Sequence, residues 1–400
     1  MSSSKVYDVC VVGAGVMGSA TARQLAQNGQ EVLLLEQFPL PHSRGSSHGQ
    51  SRIFRTLYSN PVFVRMARDS LAIWKDIELH ANEEIYIRNV GLLSVEEAPG
   101  LTLKKDAQNL KDLGIGHEVL SPSELRKRFP SLQFDPGYSA VLERSAGVMR
   151  ADKCLRALQE QFIRFGGSLK DGQKVLSIQP DGTGVTIKTS IENHRARKLI
   201  LTVGPWTNNL LKPLGLLLPI RVYRAPVLYW SITKPDEYSW KNGFPSFYDA
   251  SPTGKHIYCL SYLEYPDMLK LGPTGEATSS LGLKGNAERR DMDRQDIDQF
   301  IKSAGAYVKK HFPYLDHKGP AIVEMCLYSM TPDSSFILDK HPTFDNIIIG
   351  AGFSAHGFKH APVVGQILSD LARDQTPAYD ITPFRISRFK ETHTDTKSNL

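Results

Sequence analysis

Two glycine-rich turns, one near each end of the chain, constrain the fold more than any other feature of the sequence. Each follows a run of apolar residues and precedes a helical pattern: Gly13–Gly18 comes after Val9–Val12, and Gly350–Lys359 comes after Ile347–Ile349. Such a strand–turn–helix unit binds a pyrophosphate, because the helix N-terminus offers free N–H groups and partial positive charge. The two turns together predict a nucleotide cofactor held by both ends of the chain.

The first turn has the spacing of a dinucleotide fingerprint in the required context. Gly13 allows the tight turn, Gly15 lets the pyrophosphate approach the backbone, and Gly18 lets the helix pack on the strand. Glu36 ends the next predicted strand, where a carboxylate accepts hydrogen bonds from ribose hydroxyls. This acid argues against NADP but does not separate NAD from FAD, and a glycine-rich turn without a ligand is the alternative.

The second turn favours a flavin. Enzymes that use NAD seldom end with another glycine-rich turn, whereas flavin oxidoreductases of this plan do. A helix N-terminus there can direct N–H groups at the pyrimidine side of the flavin ring, where negative charge develops on reduction. The alternative for Gly350–Lys359 is a helix that starts in the core without contacting a cofactor.

Size and composition exclude several classes of protein. A chain of 400 residues suggests two domains, and the 48 Lys and Arg against 42 Asp and Glu are scattered, which argues against nucleic-acid binding. The most apolar stretch, Leu210–Ile220, is interrupted by prolines and a lysine and cannot span a bilayer. No spacing suggests a metal site. Four cysteines without paired spacing indicate a reducing compartment: Cys10, Cys154, Cys259 and Cys326.

Hydrophobic periodicity predicts alternating strands and helices at both ends of the chain and a different middle. Residues 217–320 alternate aromatic and β-branched residues between turns, which is typical of an antiparallel sheet. Strands are predicted at 7–12, 31–36, 174–179, 184–189 and 198–203, and helices at 16–28, 61–80, 151–166, 286–311 and 358–373.

Several motifs over residues 6–390 resemble those of the monomeric sarcosine oxidase family, and most of all its peroxisomal sarcosine oxidase / L-pipecolate oxidase branch. They are Gly13–Gly15, Pro41–Arg52, Gly204–Asn208, Thr331–Asp339 and Gly350–Lys359. The resemblance implies an α/β fold with an α+β inserted domain, like that of D-amino-acid oxidase. A Rossmann-like FAD-binding domain would comprise 1–88, 146–216 and 321–390, and an antiparallel-sheet substrate domain would comprise 89–145 and 217–320.

The resemblance also implies FAD bound covalently through the sulfur of Cys326. From the sequence alone this cysteine would be interpreted as a core thiol, as Cys10 is on its apolar strand, and the resemblance reverses that interpretation. Further FAD-binding positions are implied throughout the chain: Gly13, Gly15, Gly18, Glu36, Ser47, Arg52, Val175, Gly352, His356, Gly357 and Lys359.

The loop Arg44–Arg55, which we call the basic loop, supplies part of the implied substrate site. By resemblance, Arg52 lies against the flavin ring, Arg55 and Lys359 bind the substrate carboxylate, and His48 helps to hold the loop. Guanidinium groups suit this task because they offer two parallel donors to a carboxylate. Without the resemblance, such a run of charges would be interpreted as a solvated surface.

Lys270 matches the family lysine that faces the flavin and assists oxygen reduction, and Tyr258 and Tyr328 match tyrosines near the substrate. Two positions depart from the family pattern. Thr274 stands where bacterial relatives have an active-site histidine, and Ala355 replaces a glycine. If position 355 requires a positive φ, its Cβ costs about 1 kcal/mol.

The resemblance therefore implies an oxidase of secondary α-amino acids, such as sarcosine or L-pipecolate, that reduces O2 to H2O2. The alternatives are a flavin dehydrogenase with a protein or quinone acceptor and a flavin-bound protein without catalysis. Residues 391–400 end in Ser398-Asn399-Leu400, which resembles a peroxisomal address and implies an import receptor as partner. We expect a peroxisomal monomer with no nucleic-acid or membrane partner.

Overall fold

The computed structural model describes residues 5–88, 90–98, 100–251, 257–261, 263–274, 278, 284–288 and 294–389. Its strands are β1 (Val6–Val12), β2 (Val32–Leu35), β3 (Ser51–Phe54), β4 (Tyr86–Ile87), β5 (Leu92–Glu97), β6 (His117–Leu120), β7 (Tyr138–Glu143), β8 (Gly147–Arg150), β9 (Ser168–Lys170), β10 (Val175–Asp181), β11 (Gly184–Thr189), β12 (Asn193–Leu201), β13 (Arg221–Ser231), β14 (Ser246–Asp249), β15 (Ile257–Leu260), β16 (Met268–Pro273), β17 (Ile322–Met330), β18 (Ile337–Lys340) and β19 (Ile347–Ala351).

The α-helices in this part of the chain are α1 (Val16–Gln27), α2 (Pro61–Leu79), α3 (Leu101–Asp112), α4 (Pro122–Arg128), α5 (Ala151–Arg164), α6 (Thr207–Leu211), α7 (Arg294–His311) and α8 (Ala361–Ala372). Short 3-10 helices lie at Gly204–Trp206, Lys212–Leu214, Pro235–Tyr238, Trp240–Asn242, Phe358–His360, Thr382–Phe384 and Ile386–Arg388. No helix of the described residues combines the length and apolar character needed to cross a bilayer.

The chain divides into two compact units. The first contains the described residues up to His48, Cys154–Val222 and those from Tyr328 onward, and the second contains Gly49–Lys153 and Tyr223–Leu327. The largest difference from the predicted domains is at the first boundary: the sequence predicts it after residue 88, whereas the first segment of the first unit ends at His48. The cause is strand β3, which pairs with β8 and so keeps residues after 48 in the second unit. The predicted domain division itself stays a prediction.

The first unit is built on a mainly parallel sheet. Strands β2, β1, β12 and β19 lie side by side and parallel, and α1 connects β1 to β2 as a βαβ unit. Central strands such as β2 and β19 are buried at every residue. This explains their unbroken apolar runs, since a parallel strand is covered on both faces.

The second unit is built on an eight-stranded sheet in the order β17-β13-β16-β15-β14-β5-β7-β6. Its pairs β13–β16, β15–β16 and β14–β15 are antiparallel, while β14 and β5 run parallel. One face of the pair β13 and β16 packs into a buried apolar core, to which these strands contribute Leu228, Trp230, Leu269 and Leu271. The residues that alternate with these face the other way, and they include several of the predicted site residues.

Most predicted elements are present with small differences at their ends. The clearest error is the helix predicted from residue 286: residues 286–288 are not helical, and α7 begins at Arg294. Strand β12 begins five residues earlier than predicted, at Asn193, because its first half pairs with β11 in a hairpin. The α/β fold class with a second, mainly antiparallel sheet is confirmed.

Candidate active site

The first glycine turn is packed so tightly that two of its glycines, Gly13 and Gly18, have no room for a side chain. Gly13 has φ +98°, and a Cβ there would lie 2.7 Å from the carbonyl oxygen of Thr202. A Cβ on Gly18 would lie 1.9 Å from the carbonyl oxygen of Gly13. Helix α1 therefore starts in direct contact with β1 and β12, which fixes where its N-terminal amides lie.

Gly15 has a different role, because among the described residues a Cβ on it would approach only the side chain of Ser47 within 4 Å, with Oγ at 3.1 Å. The same hydroxyl accepts a hydrogen bond from the N–H of Val16 at 3.0 Å. Gly15 itself caps α1 without a side-chain hydrogen bond. The start of α1 thus combines an open backbone with helix amides, which is the arrangement that binds phosphate groups.

Glu36 lies beside this turn and is 6% exposed. Its Oε2 accepts from the N–H of Ala14 at 2.9 Å, and its Oε1 accepts from the N–H of Phe38 at 3.1 Å. The carbonyl oxygen of Glu36 also accepts from the N–H of Gln173 at 2.8 Å. This last contact places Val175, at the start of β10, near the same end of the sheet.

The second glycine turn contains three positive φ angles. Gly352 has φ +62°, and a Cβ there would lie 2.4 Å from Cγ2 of Thr331. Ser354 and Ala355 have φ +47° and +64°. The Ser354 hydroxyl accepts from the N–H of Thr331 at 3.2 Å, which ties the turn to the end of β17. Ala355 therefore does occupy a left-handed backbone position.

The two turns lie next to each other. A Cβ on Gly357 would lie 2.7 Å from the Cε of Met17, and a Cβ on Gly365 would lie 2.9 Å from the backbone of Ala20. Helices α1 and α8 thus pack through small residues, and their N-terminal ends share one side of the first unit.

Lys359 and His356 belong to the second turn. Lys359 is 6% exposed, and its Nζ donates to the carbonyl oxygen of His356 at 3.1 Å. The His356 Nε2 lies 2.9 Å from the carbonyl oxygen of Ser334. His48, predicted to hold the basic loop, is half-buried with Nδ1 2.5 Å from the carbonyl oxygen of Gly45.

In the second unit, one face of the sheet collects aromatic and charged side chains. Tyr229 pairs with Lys270 across β13 and β16, Tyr258 pairs with Gly272 across β15 and β16, and Tyr248 pairs with Tyr258. Paired residues lie on the same face, opposite the apolar core. We call the face that carries Tyr229, Tyr248, Tyr258 and Lys270 the polar face.

Arg55 stacks on this face. Its guanidinium carbon lies 4.1 Å from the ring centre of Tyr58 and 5.1 Å from that of Tyr248. Burial opposes the charge, but the two tyrosines, Asp106 and Glu143 outweigh it and raise the pKa of Arg55 above its usual value. Arg55 is therefore a fixed, permanently charged group.

Glu143 holds the backbone next to Arg55. It is fully buried, and it accepts hydrogen bonds from the N–H and hydroxyl of Thr56, at 2.8 and 2.6 Å, and from the N–H of Leu57, at 3.0 Å. The position of Arg55 is thus set from outside its own loop.

Lys270 is buried and ion-paired. Its Nζ donates to Glu264 Oε1 at 2.7 Å and to Ser51 Oγ at 3.1 Å, and the Ser51 hydroxyl donates to the same carboxylate oxygen at 2.5 Å. Burial lowers the pKa of Lys270 and Arg52 lowers it further, while Glu264 and Cys326 act to raise it; the net direction is down. Arg52 and Cys326 therefore lie within electrostatic range of the ammonium.

Cys326 is 7% exposed, and its Sγ lies 3.8 Å from the carbonyl oxygen of Leu327. Glu324, Cys326 and Tyr328 alternate along β17 and so share one side of that strand. The structure thus brings together Arg52, Arg55, Tyr258, Lys270 and Cys326 in one unit, and Ser47, His48, His356 and Lys359 in the other.

Sequence reasoning missed three residues of the second unit: Tyr248, Glu264 and Glu143. The alternation in Ser246–Asp249 could have placed Tyr248 opposite the core. Glu264 and Glu143 gave no local signal, because their partners lie on β3, β16 and the segment after β3. Among the described residues, no group of three or more metal-binding side chains is present.

Comparison with known proteins agrees with this geometry. Residues 8–371 match the family described as DAO, FAD dependent oxidoreductase. The chain is 43% identical over 386 residues to human peroxisomal sarcosine oxidase, covering 96% of each protein. The chain belongs to this family. Within it, the chain is one of the sarcosine oxidase group.

More distant proteins agree in sequence or in fold. Monomeric sarcosine oxidase of an Arthrobacter strain is 30% identical, with 97% of this chain and 98% of that protein covered. The crystal structure of L-proline dehydrogenase from P. horikoshii superposes with a TM-score of 0.81 at 19% identity, over 97% of this chain and 99% of that one. This second likeness shows the shared fold.

The residues of the first unit fit FAD, the cofactor of this family of oxidoreductases. The open backbone at Gly15, the helix amides at the start of α1 and the carboxylate of Glu36 match a pyrophosphate and a ribose. The second turn adds a further helix start beside the first, formed by residues 356–361.

Proposed function

We propose that this member of the sarcosine oxidase group oxidises secondary α-amino acids with O2 and forms H2O2. The observation that carries the proposal is the polar face, where the half-buried Arg55 and the buried Lys270 are fixed cations beside tyrosine rings. An anionic substrate and a reaction that develops negative charge both require such cations. FAD, when bound, would accept two electrons from the amine and pass them to O2.

The substrate carboxylate is assigned to Arg55 and Lys359. The guanidinium of Arg55 lies over the rings of Tyr58 and Tyr248, so its position is set before the substrate binds. Such pre-organisation increases affinity because less side-chain freedom is lost on binding. Tyr258 and Tyr328 are proposed to contact the substrate, and His48 to support the loop that contains Arg52.

The reacting nitrogen must be a neutral amine, since an ammonium has no lone pair to release. The cations Arg52, Arg55 and Lys359 would lower the pKa of the bound amine and favour that form. Two electrons and two protons then leave the substrate, giving an imine that water hydrolyses. Sarcosine would give glycine and formaldehyde, and L-pipecolate would give a cyclic imine.

Cys326 is the proposed site of covalent attachment. The thiol and the 8α-methyl group of the flavin would each lose one hydrogen, an S–C bond would form, and O2 would take both hydrogens as H2O2. Lys270 supports this assignment, because its ammonium lies within electrostatic range of Cys326 and would favour an electron-rich flavin beside it.

Lys270 is further proposed to promote the reduction of O2. The first electron converts O2 to superoxide, and a fixed ammonium stabilises that anion. Peroxide formation suits a peroxisome, and the human and mouse relatives are named peroxisomal sarcosine oxidase. We propose this location and a monomeric state; the address Ser398-Asn399-Leu400 lies outside the described residues.

A substrate panel with peroxide detection tests the proposal. Sarcosine, L-pipecolate, L-proline and N-methyl amino acids should be compared at equal concentrations, with O2 consumption measured in parallel. We expect peroxide from at least one secondary amine and none from its N-acetyl derivative. Flavin bleaching without O2 consumption would instead identify a dehydrogenase, and no bleaching by any substrate would point to a protein without this activity.

A further inference from the structure

Lys270 stands out because its environment opposes the charge that its proposed role requires. Its side chain is 5% exposed, and it lies on the polar face, paired across the sheet with Tyr229. Arg52, a second cation, acts on it from β3. A lysine placed in such surroundings without a counter-ion loses its proton readily.

The counter-ion is Glu264, from the segment between β15 and β16. Its side chain is 4% exposed and lies 2.7 Å from the ammonium, with Ser51 bridging the same oxygen. Burial acts to raise the pKa of Glu264, but Lys270 and Ser51 outweigh it, so the pKa lies below its usual value. The carboxylate is therefore ionised, and the two groups form a buried ion pair.

We propose that Glu264 is a positioning residue for oxygen reduction, which keeps Lys270 protonated and fixes its ammonium through Ser51. This inference rests on the proposed oxygen role of Lys270. Each turnover adds two electrons and two protons to O2 to give H2O2, and the ammonium stabilises the superoxide made by the first electron. Without Glu264, the pKa of the lysine would fall further, because the carboxylate is the neighbouring group that most raises it.

Several charged and polar groups face Lys270, and the pH at which it loses its proton depends on these surroundings. They are Arg52 and Ser51 from β3, Tyr229 from β13, Glu264 from the segment before β16, and Cys326 from β17. Burial and the nearby carboxylates Glu264 and Glu324 raise the pKa of Tyr229 far above its usual value, so this phenol stays neutral.

Glu324 offers a matched control. It also lies close to the polar face, but it accepts hydrogen bonds from Tyr229 at 3.1 Å and from Tyr265 at 2.6 Å. The changes Glu264→Gln and Glu324→Gln are chemically identical, and Glu264 is the one of the two that contacts Lys270.

The experiment measures flavin reoxidation by O2 as a function of pH, after anaerobic reduction of the holoenzyme by substrate. For Glu264→Gln we expect the pH at which reoxidation slows to move down by about one unit or more, because an adjacent opposite charge has been removed. Anaerobic reduction should be unchanged, Glu264→Asp should restore most of the profile, and Glu324→Gln should keep the wild-type midpoint.

Two results for Glu264→Gln would overturn the inference. An unchanged midpoint would mean that the carboxylate does not hold the proton on Lys270. Faster reoxidation at every pH would mean that Glu264 weakens the cation instead of maintaining it. If this variant does not fold, Ser51→Ala carries the same test, with a smaller shift expected in the same direction.

The comparison with Lys270→Met separates this inference from the proposed function. If Lys270→Met reoxidises as fast as wild type, the oxygen role of Lys270 is wrong, and the inference fails with it. If only Lys270→Met is slow, the oxygen role stands and the role of Glu264 is wrong. The double variant Lys270→Met/Glu264→Gln should be more stable than Lys270→Met, because no uncompensated charge is left buried, yet reoxidise equally slowly.

Discussion

In the first unit the site depends mainly on tight backbone turns at glycines, whereas in the second unit it depends on charged side chains that other side chains hold in place. At Gly13 and Gly18 the structure excludes even a methyl group. On the polar face, Arg55 and Lys270 are held by tyrosine rings, Glu143 and Glu264, which come from other parts of the chain. The two regions should therefore respond to mutation in different ways.

Gly18→Ala should have the largest effect, because its Cβ would overlap the carbonyl oxygen of Gly13. We expect loss of FAD together with a lower melting temperature. The matched control is Gly182→Ala in the same unit, where a Cβ meets no described atom within 4 Å. If Gly18→Ala binds FAD and melts at the wild-type temperature, the close contact between Gly18 and Gly13 is not needed for FAD binding or for stability.

Cys326→Ala should abolish covalent attachment, so that acid-precipitated protein loses its yellow colour. Cys259→Ala is the control, since burial raises the pKa of that thiol well above its usual value and makes it inert. The intact mass of each denatured variant measures the attachment. A colourless pellet from wild-type protein would contradict the proposed linkage.

Arg55→Ala should weaken substrate use by about 2–5 kcal/mol, mostly through KM, because a buried charge–charge contact is lost. Arg55→Lys should recover only part of this, since a point charge does not reproduce the planar pair of donors. Arg88→Ala is the control. Arg88 also lies over a tyrosine ring, at 5.6 Å, but it forms an ion pair with Glu78 and is more exposed than Arg55. Equal KM values for the Arg55 and Arg88 variants would place the substrate carboxylate elsewhere.

Ala355→Gly should have the smallest effect, in the opposite direction. Position 355 has φ +64°, where a Cβ costs about 1 kcal/mol, so glycine should raise the free energy of unfolding by up to that amount. Ala378, which is exposed and has no positive φ, should lose stability when changed to glycine. Denaturant unfolding of the two variants measures both changes.

The same contrast explains what the sequence could and could not predict. The turn at Gly13–Gly18 and the strands around it are local patterns, and Glu36 follows at a fixed distance, so their geometry could be predicted from the residues. At Ala355 the sequence raises a left-handed backbone only as a condition, through the glycine that the resemblance implies there, and the structure shows that the condition holds.

The polar face could not be predicted in this way. Arg55 and Lys270 were singled out by resemblance, and nothing near them in sequence identifies Tyr248 or Glu264 as partners. Those contacts depend on how β14, β15 and β16 align, which is determined by the register of the whole sheet. Charged residues that are buried through distant partners look, in sequence, like solvated ones.

A single-turnover experiment tests the central claim most directly. The purified holoenzyme should be mixed with sarcosine or L-pipecolate without O2, and O2 should then be admitted while flavin colour and peroxide are followed. We predict that substrate bleaches the flavin, that O2 restores the colour, and that one H2O2 forms per flavin. Bleaching that O2 cannot reverse, or colour that no secondary amino acid removes, would contradict the assignment of this chain as an oxidase.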